Sequence, residues 1–192
     1  MGCKILLTGA TGFIGTELVC ELLNKNFELS VILRHKADHL PGAIKQFVIG
    51  DFAKHADYSN ALTDIYCVIH LAGKAHVIDK SKASVLDEFR LINVDLSLNI
   101  AKQAAAAGVN RFVFLSSIGV NGNQNIKPFL ESDEPNPQEP YAISKHEAEQ
   151  KLFKLTKETD MGVVIIRPPL VYGANAPGNF GRLMSWASKK YP

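Results

Sequence analysis

Tyr141 and Lys145 stand four residues apart in a Lys-, Glu- and Ala-rich stretch that begins just after Pro140, so on a helix their side chains share one face. A phenol beside an ammonium suits one kind of chemistry, the transfer of a proton to or from an oxygen. Near neutrality a phenol with an unperturbed pKa of about 10 is a poor base. A neighbouring cation stabilises the phenolate and brings that value down. The spacing alone is cheap, because a solvated surface pair shows it equally well. Its weight comes from what precedes it: a glycine-rich turn near the N-terminus, a strand-like run ending in Ser116-Ser117, and the helix entry at Pro140.

The glycine-rich turn is Thr8-Gly9-Ala10-Thr11-Gly12-Phe13-Ile14-Gly15, led by the apolar run Ile5-Leu6-Leu7 and followed by Leu18, Val19, Leu22 and Leu23 at helical spacing. A short apolar run bounded by Gly reads as a buried strand. The glycines therefore join a strand to a helix, the context in which such a triplet binds a dinucleotide rather than merely turning the chain. Gly9 permits the sharp turn, Gly12 lets the backbone approach a pyrophosphate, and Gly15 lets the helix pack closely on the sheet. The N-terminus of that helix turns unpaired N–H groups towards the phosphates. Beside a bound nicotinamide, the Tyr–Lys pair would serve hydride transfer, in which a proton leaves or joins the carbinol oxygen as the hydride moves.

Further strands are expected over residues 27–33, 46–49, 65–71, 111–115 and 161–167. Helices are expected over 84–107, closed by Gly108, over 141–159, and over 178–190. The segment 124–140 has four Pro and no consistent period, and reads as an active-site loop. Strands alternating with helices, without a hairpin signal, predict an α/β fold: a doubly wound parallel sheet with helices on both faces. Arg34 follows the second strand, 19 residues after Gly15, and no acid competes there until Asp38. An acid at that position accepts the ribose 2′-OH, whereas an Arg accommodates a 2′-phosphate. NADP is therefore the expected cofactor and NAD the alternative; a solvated basic loop is the other use for Arg34-His35-Lys36.

The run T-G-A-T-G-F-I-G resembles the signature of the extended short-chain dehydrogenase/reductase family, the branch that includes nucleotide-sugar epimerases and reductases. The resemblance implies a Rossmann fold, with Phe13 and Ile14 joining the glycines at the cofactor. It implies adenine contacts from Asp51 and Phe52, although an Asp there also suits a helix N-cap. Leu71-Ala72-Gly73 would pass close to the pyrophosphate and nicotinamide ribose, and Pro168 would close the cofactor set. Tyr141 would be the acid–base, and Lys145 would tune it and hold the nicotinamide ribose. Ser117 would hydrogen-bond the substrate oxygen, and alignment on Gly122 selects it over Ser116. Asn93 would make structural hydrogen bonds behind the site, and His70 is expected to be a packed strand-end residue. Lys74, His76, Asn121 and Asn179 are the candidate substrate residues, with plain solvation the alternative for Lys74 and His76.

Two departures narrow the reaction that the resemblance implies. Asn121 stands where the sugar epimerases usually carry Tyr. Ser117 is followed by Ile118-Gly119 rather than the Asp-Glu pair of the 4,6-dehydratases, so dehydration is disfavoured. The expectation is an NAD(P)-dependent 4-epimerase or 4-ketoreductase acting on C4 of a UDP-hexose. A reductase of a small ketone or aldehyde is the enzymatic alternative. A non-catalytic NAD(P)-binding sensor is another, but such relatives typically lose the Tyr or the Lys. The family also implies a homodimer through a four-helix bundle. Residues 1–175 are expected to be the NAD(P)-binding domain, and 176–192 the start of a substrate-binding lobe, truncated here.

Composition excludes other classes. The chain of 192 residues is 46% hydrophobic and 21% charged, the balance of a globular domain. A net charge of +2 offers no footprint for nucleic acid, and no apolar run approaches the ~20 residues of a membrane span. Cys3, Cys20 and Cys67 are scattered among apolar residues and read as small hydrophobes in a reducing compartment. No Cys/His cluster has metal-ligand spacing. The first strand follows Met1-Gly2-Cys3 at once, leaving no room for a cleavable signal, so a cytoplasmic location is expected.

Overall fold

The computed structural model describes residues 3–50, 56–75, 82–173, 176 and 178–188; Asp51, Phe52 and His76 lie outside the described residues. Six strands form one sheet: β1 (Lys4–Thr8), β2 (Glu28–Leu33), β3 (Lys45–Val48), β4 (Cys67–His70), β5 (Arg111–Leu115) and β6 (Gly162–Ile166). Their order is β3-β2-β1-β4-β5-β6, and every neighbouring pair is parallel. The chain winds outward from β1 in one direction to β3, then crosses to β4 and winds the other way. This is the doubly wound Rossmann order, whose reversal opens a crevice at the carboxyl ends of β1 and β4.

Helices cover both faces: α1 (Phe13–Asn24), α2 (Ser59–Leu62), α3 (Lys82–Phe89), α4 (Ser97–Ala106) and α5 (Pro140–Thr156), followed by α6 (Gly178–Ser188). Central strands buried on both sides need apolar residues at successive positions, which β1 supplies. Leu6 joins Val68, Phe112 and Phe114 against Ile100 and Ala104 of α4 and Ala148 and Leu152 of α5. Ile5 and Leu7 join Val31 and Leu33 against Val19 and Leu22 of α1.

The elements differ from the sequence expectation in four ways. Strands β2, β3, β4 and β6 start or stop within one or two residues of the expected bounds, because ladder bonding ends before the apolar run does. Helix α5 stops at Thr156 rather than residue 159, where the N–H groups of Lys157 and Glu158 turn to the carbonyls three residues back. The single helix expected over 84–107 is instead α3, a π-helical turn over Arg90–Leu96, and α4. That wide turn contains Asn93, which is fully buried. Helix α2 and the 3-10 turn Ile118–Val120 had no periodicity to announce them.

Candidate active site

The crevice at the strand ends is a cleft of about 500 Å³ lined by the turn after β1 (Gly9, Thr11, Gly12), the end of β2 (Ile32 to Arg34), the segment after β4 (Leu71 to Lys74) and Ile92 and Leu96 of the π-helical turn. Its floor is tight. Gly9 has φ +74°, and a Cβ there would lie 2.8 Å from the Ala72 amide nitrogen. A Cβ on Gly15 would lie 2.0 Å from the Gly9 carbonyl oxygen, so any side chain would lift α1 off the turn. The N-terminus of α1 carries no side-chain cap, which leaves its first-turn N–H groups without a side-chain acceptor, beside the cleft, for an anionic group. This cradle of bare backbone and an uncapped helix end fits a dinucleotide pyrophosphate. Phe13 and Ile14 lie in that first turn of α1, and Arg34 is exposed at the cleft rim.

Helix α5 brings the candidate acid–base residues to the exit of β5. Tyr141 is partly buried and meets Phe89 edge-on, with ring centroids 5.8 Å apart. Lys145 is buried; its Nζ donates to the Leu115 carbonyl at 2.8 Å and lies 4.5 Å from the centre of the Phe114 ring. A Cβ on Gly73 would be 3.2 Å from that same Nζ, so the ammonium sits directly behind the cleft wall. Burial lowers the Lys145 pKa to about 8, against the pull of Glu149, which raises it. Burial also raises the Tyr141 pKa, and Lys145 Nζ is 6.0 Å from the Tyr141 ring centre. The expected depression of the phenol pKa is thus not produced by Lys145 in this arrangement. Desolvation outweighs an ammonium at that separation.

Ser116 and Ser117 diverge at the end of β5. The Ser116 hydroxyl is buried and donates to Glu149 Oε1. Ser117 is partly exposed, and its Oγ accepts the Gly119 N–H at 3.2 Å, capping the 3-10 turn. Glu149, buried on α5, also receives Arg167 twice, from Nε at 3.0 Å and Nη2 at 2.6 Å. Arg167 Nη1 donates to Asn121 Oδ1 at 3.1 Å. Asn121 is therefore not brought to the cofactor cleft. It is buried and lines a separate cavity of about 430 Å³ beside Arg167 and Phe129.

The remaining candidates divide. Lys74 lines the cleft, and its ammonium is paired with Glu88. The Pro168 carbonyl accepts the Ile118 N–H at 3.0 Å. Asn179 is the second residue of α6. Sequence reasoning missed Glu149, Arg167, Thr8, Ser97 and Ser144; only Glu149 left a trace, four residues beyond Lys145 on the same helix face. Among the described residues no group of three or more His, Cys, Asp or Glu is disposed to hold a metal. No described helix is long and apolar enough to cross a membrane.

Comparison with known proteins decides the family. Residues 5–191 match the NAD dependent epimerase/dehydratase family. The chain belongs to that family. A UDP-glucose 4-epimerase of Vibrio cholerae is 41% identical over 192 residues, an overlap of 98% of this chain and 58% of the relative. Among solved structures, MoeE5 in complex with UDP-glucuronic acid and NAD superposes with TM-score 0.79 at 28% identity, over 92% of this chain and 57% of that one. A UDP-glucuronic acid 4-epimerase from Bacillus cereus in complex with NAD gives 0.76 at 26% identity, over 88% and 57%. This member of the epimerase/dehydratase family thus spans 58% of the length of the Vibrio relative.

Proposed function

We propose that this chain is the cofactor-binding part of an NAD-dependent 4-epimerase of UDP-sugars. The observation that carries the reading is the Tyr141–Lys145 face of α5 set against the exit of β5, with Lys145 directly behind Gly73 in the cleft wall. The 41% identity to a UDP-glucose 4-epimerase supports the substrate class. Residues 1–175 hold the cofactor and 176–192 open the substrate lobe. The exposed Leu183, Met184 and Trp186 of α6 are consistent with a surface that packs against more protein.

Bound NAD supplies the acceptor and donor of the C4 hydride. Tyr141 takes the proton of the sugar 4-hydroxyl as the hydride departs and returns it when the hydride comes back to the other face of the carbon. Lys145 holds a positive charge beside that phenol and reaches the ribose across Gly73. Ser117, rather than Ser116, presents the hydroxyl that orients the sugar oxygen, because the Ser116 hydroxyl is committed to Glu149. The NADP preference expected from Arg34 gains no support from the solved relatives, whose cofactor is NAD. A 4-ketosugar reductase would use the same three residues for one hydride transfer.

Calorimetric titration with NAD, followed by an assay for interconversion of UDP-glucose and its 4-epimer in the protein that carries this chain, tests the reading. Tyr141→Phe is expected to lower turnover by about 10²–10⁴-fold, the usual worth of a general acid–base, with NAD affinity nearly unchanged. Turnover retained in that variant would remove Tyr141 from the mechanism, and absence of NAD binding by the parent would overturn the cofactor site itself.

A further inference from the structure

His70 ends β4 fully enclosed, 1% exposed, with its ring stacked 6.0 Å from Phe114 at an interplanar angle of 12°. Both of its ring nitrogens are engaged. Nδ1 is 2.8 Å from Thr8 Oγ1, at the end of β1, and Nε2 is 2.9 Å from Ser97 Oγ, at the start of α4. The neighbours fix the directions of these bonds. The Ser97 hydroxyl donates its one proton to the Asn93 carbonyl at 2.8 Å, so its oxygen accepts from a protonated Nε2. The neutral ring is then unprotonated at Nδ1 and accepts the Thr8 hydroxyl proton. Thr8 Oγ1 in turn accepts the Ala72 N–H at 3.2 Å.

Each end of this chain of bonds reaches a different wall of the cleft. On the Thr8 side it holds the Ala72 amide, the atom against which Gly9 is packed. On the Ser97 side it holds the backbone of Asn93 in the π-helical turn. The Asn93 side chain accepts the Lys74 N–H at 2.8 Å, donates to the Lys74 carbonyl at 3.0 Å and donates to Ser144 Oγ at 3.0 Å. Ser144 Oγ donates to the Tyr141 carbonyl at 2.7 Å. All four polar side chains that link His70 to α5 and the glycine turn, those of Thr8, Ser97, Asn93 and Ser144, are at most 1% exposed, so water does not substitute for a broken link.

We propose that His70 is a positioning residue that joins the two halves of the site: its Nδ1 arm sets the Ala72 backbone against the glycine turn, and its Nε2 arm sets the π-helical turn that aligns Asn93 and the Tyr141 helix. The part of this proposal that concerns turnover rests on the functional reading above. The charge state is compatible with the role, because burial first, and then the charge of Lys145, lower the His70 pKa to about 3. The ring stays neutral at any working pH, and the bridge is permanent rather than a switch.

The two arms separate by substitution. In His70→Asn the side-chain oxygen takes the place of Nδ1 and keeps the Thr8 arm alone. In His70→Gln the side-chain nitrogen takes the place of Nε2 and keeps the Ser97 arm alone. A lost buried hydrogen bond corresponds to about tenfold in an equilibrium or rate. H70Q and Thr8→Val are expected to lose about tenfold in NAD affinity, measured by calorimetry, with the smaller effect on kcat. H70N and Ser97→Ala are expected to lose about tenfold in kcat, with the smaller effect on NAD affinity. Amide hydrogen exchange reads the same arms without any ligand: Ala72 speeds up in H70Q and T8V, and Lys74 in H70N and S97A. Losses of affinity and turnover in equal proportion in all variants, or equal acceleration of both amides, would overturn the proposal in favour of simple packing. A parent chain that binds no NAD but shows the split in amide exchange would overturn the functional reading and keep the bridge. T8V and S97A act from the two ends of the network, so the test stands even if substitution at His70 itself prevents folding.

Discussion

Lys145 illustrates how one side chain meets two demands. In the proposed reading it must be buried behind the cleft wall to reach a ribose through Gly73, yet remain charged to hold a cation near the phenol. Burial, partly offset by Glu149, lowers its pKa to about 8, which still leaves an ammonium as the majority species at neutral pH. The Leu115 carbonyl and the Phe114 ring face supply the polar and cation–π contacts that a buried cation needs. Arg34 is the opposite case, an exposed cation at the cleft rim. If it lies beside the adenosine ribose, Arg34→Asp lowers NADP affinity by about tenfold or more relative to NAD, since a charge-assisted bond becomes a repulsion. Paired titrations with the two cofactors check this, and equal effects on both would remove Arg34 from the ribose.

At the scale of the element, α5 acts as a ruler. Tyr141, Lys145 and Glu149 recur every four residues, so one face of the helix meets the exit of β5 at successive points: Lys145 on the Leu115 carbonyl, Glu149 on the Ser116 hydroxyl. The bidentate Arg167–Glu149 pair ties the same face to the chain just after β6. Removing one partner of a buried pair leaves the other charge uncompensated. Glu149→Ala is therefore expected to destabilise the fold by about 3 kcal/mol, the lower end of the range for buried pairs because Arg167 keeps some exposure. Urea denaturation measures it as a lower midpoint with an unchanged slope. A midpoint within error of the parent would mean that the pair contributes nothing net.

At the scale of the molecule, His70 couples folding to pH. Its folded pKa is about 3, against about 6.5 in an unfolded chain, so the unfolded state takes up the proton first. The stability that the neutral ring preserves is complete above about pH 6.5 and is lost as pH falls towards the folded value, at up to about 1.4 kcal/mol per pH unit. Unfolding free energies measured between about pH 6.5 and 5, above the carboxylate range, are expected to fall with that slope in the parent and to lack it in H70N. The same dependence in both chains would show that the ring titrates normally in the folded protein.

The sequence alone determined the architecture and the local half of the site. The glycine spacing at Gly9, Gly12 and Gly15, the apolar runs and the four-residue step from Tyr141 to Lys145 are short-range features, and each follows from steric and periodic rules that need no partner. What only the tertiary structure decided are the contacts that cross the sheet. Ser116 turned to Glu149 while Ser117 stayed at the surface, Asn121 went to Arg167 instead of the cleft, and Lys74 met Glu88. His70, read from sequence as a packed strand end, proved to be one with both nitrogens bonded. These partners lie 14 to 62 residues apart, and pairing at that distance is set by how strands and helices stack. The π-helical turn is the same lesson within one helix: Asn93 interrupts the apolar stripe, but its partners, the backbone of Lys74 and the hydroxyl of Ser144, are brought beside it only by the fold.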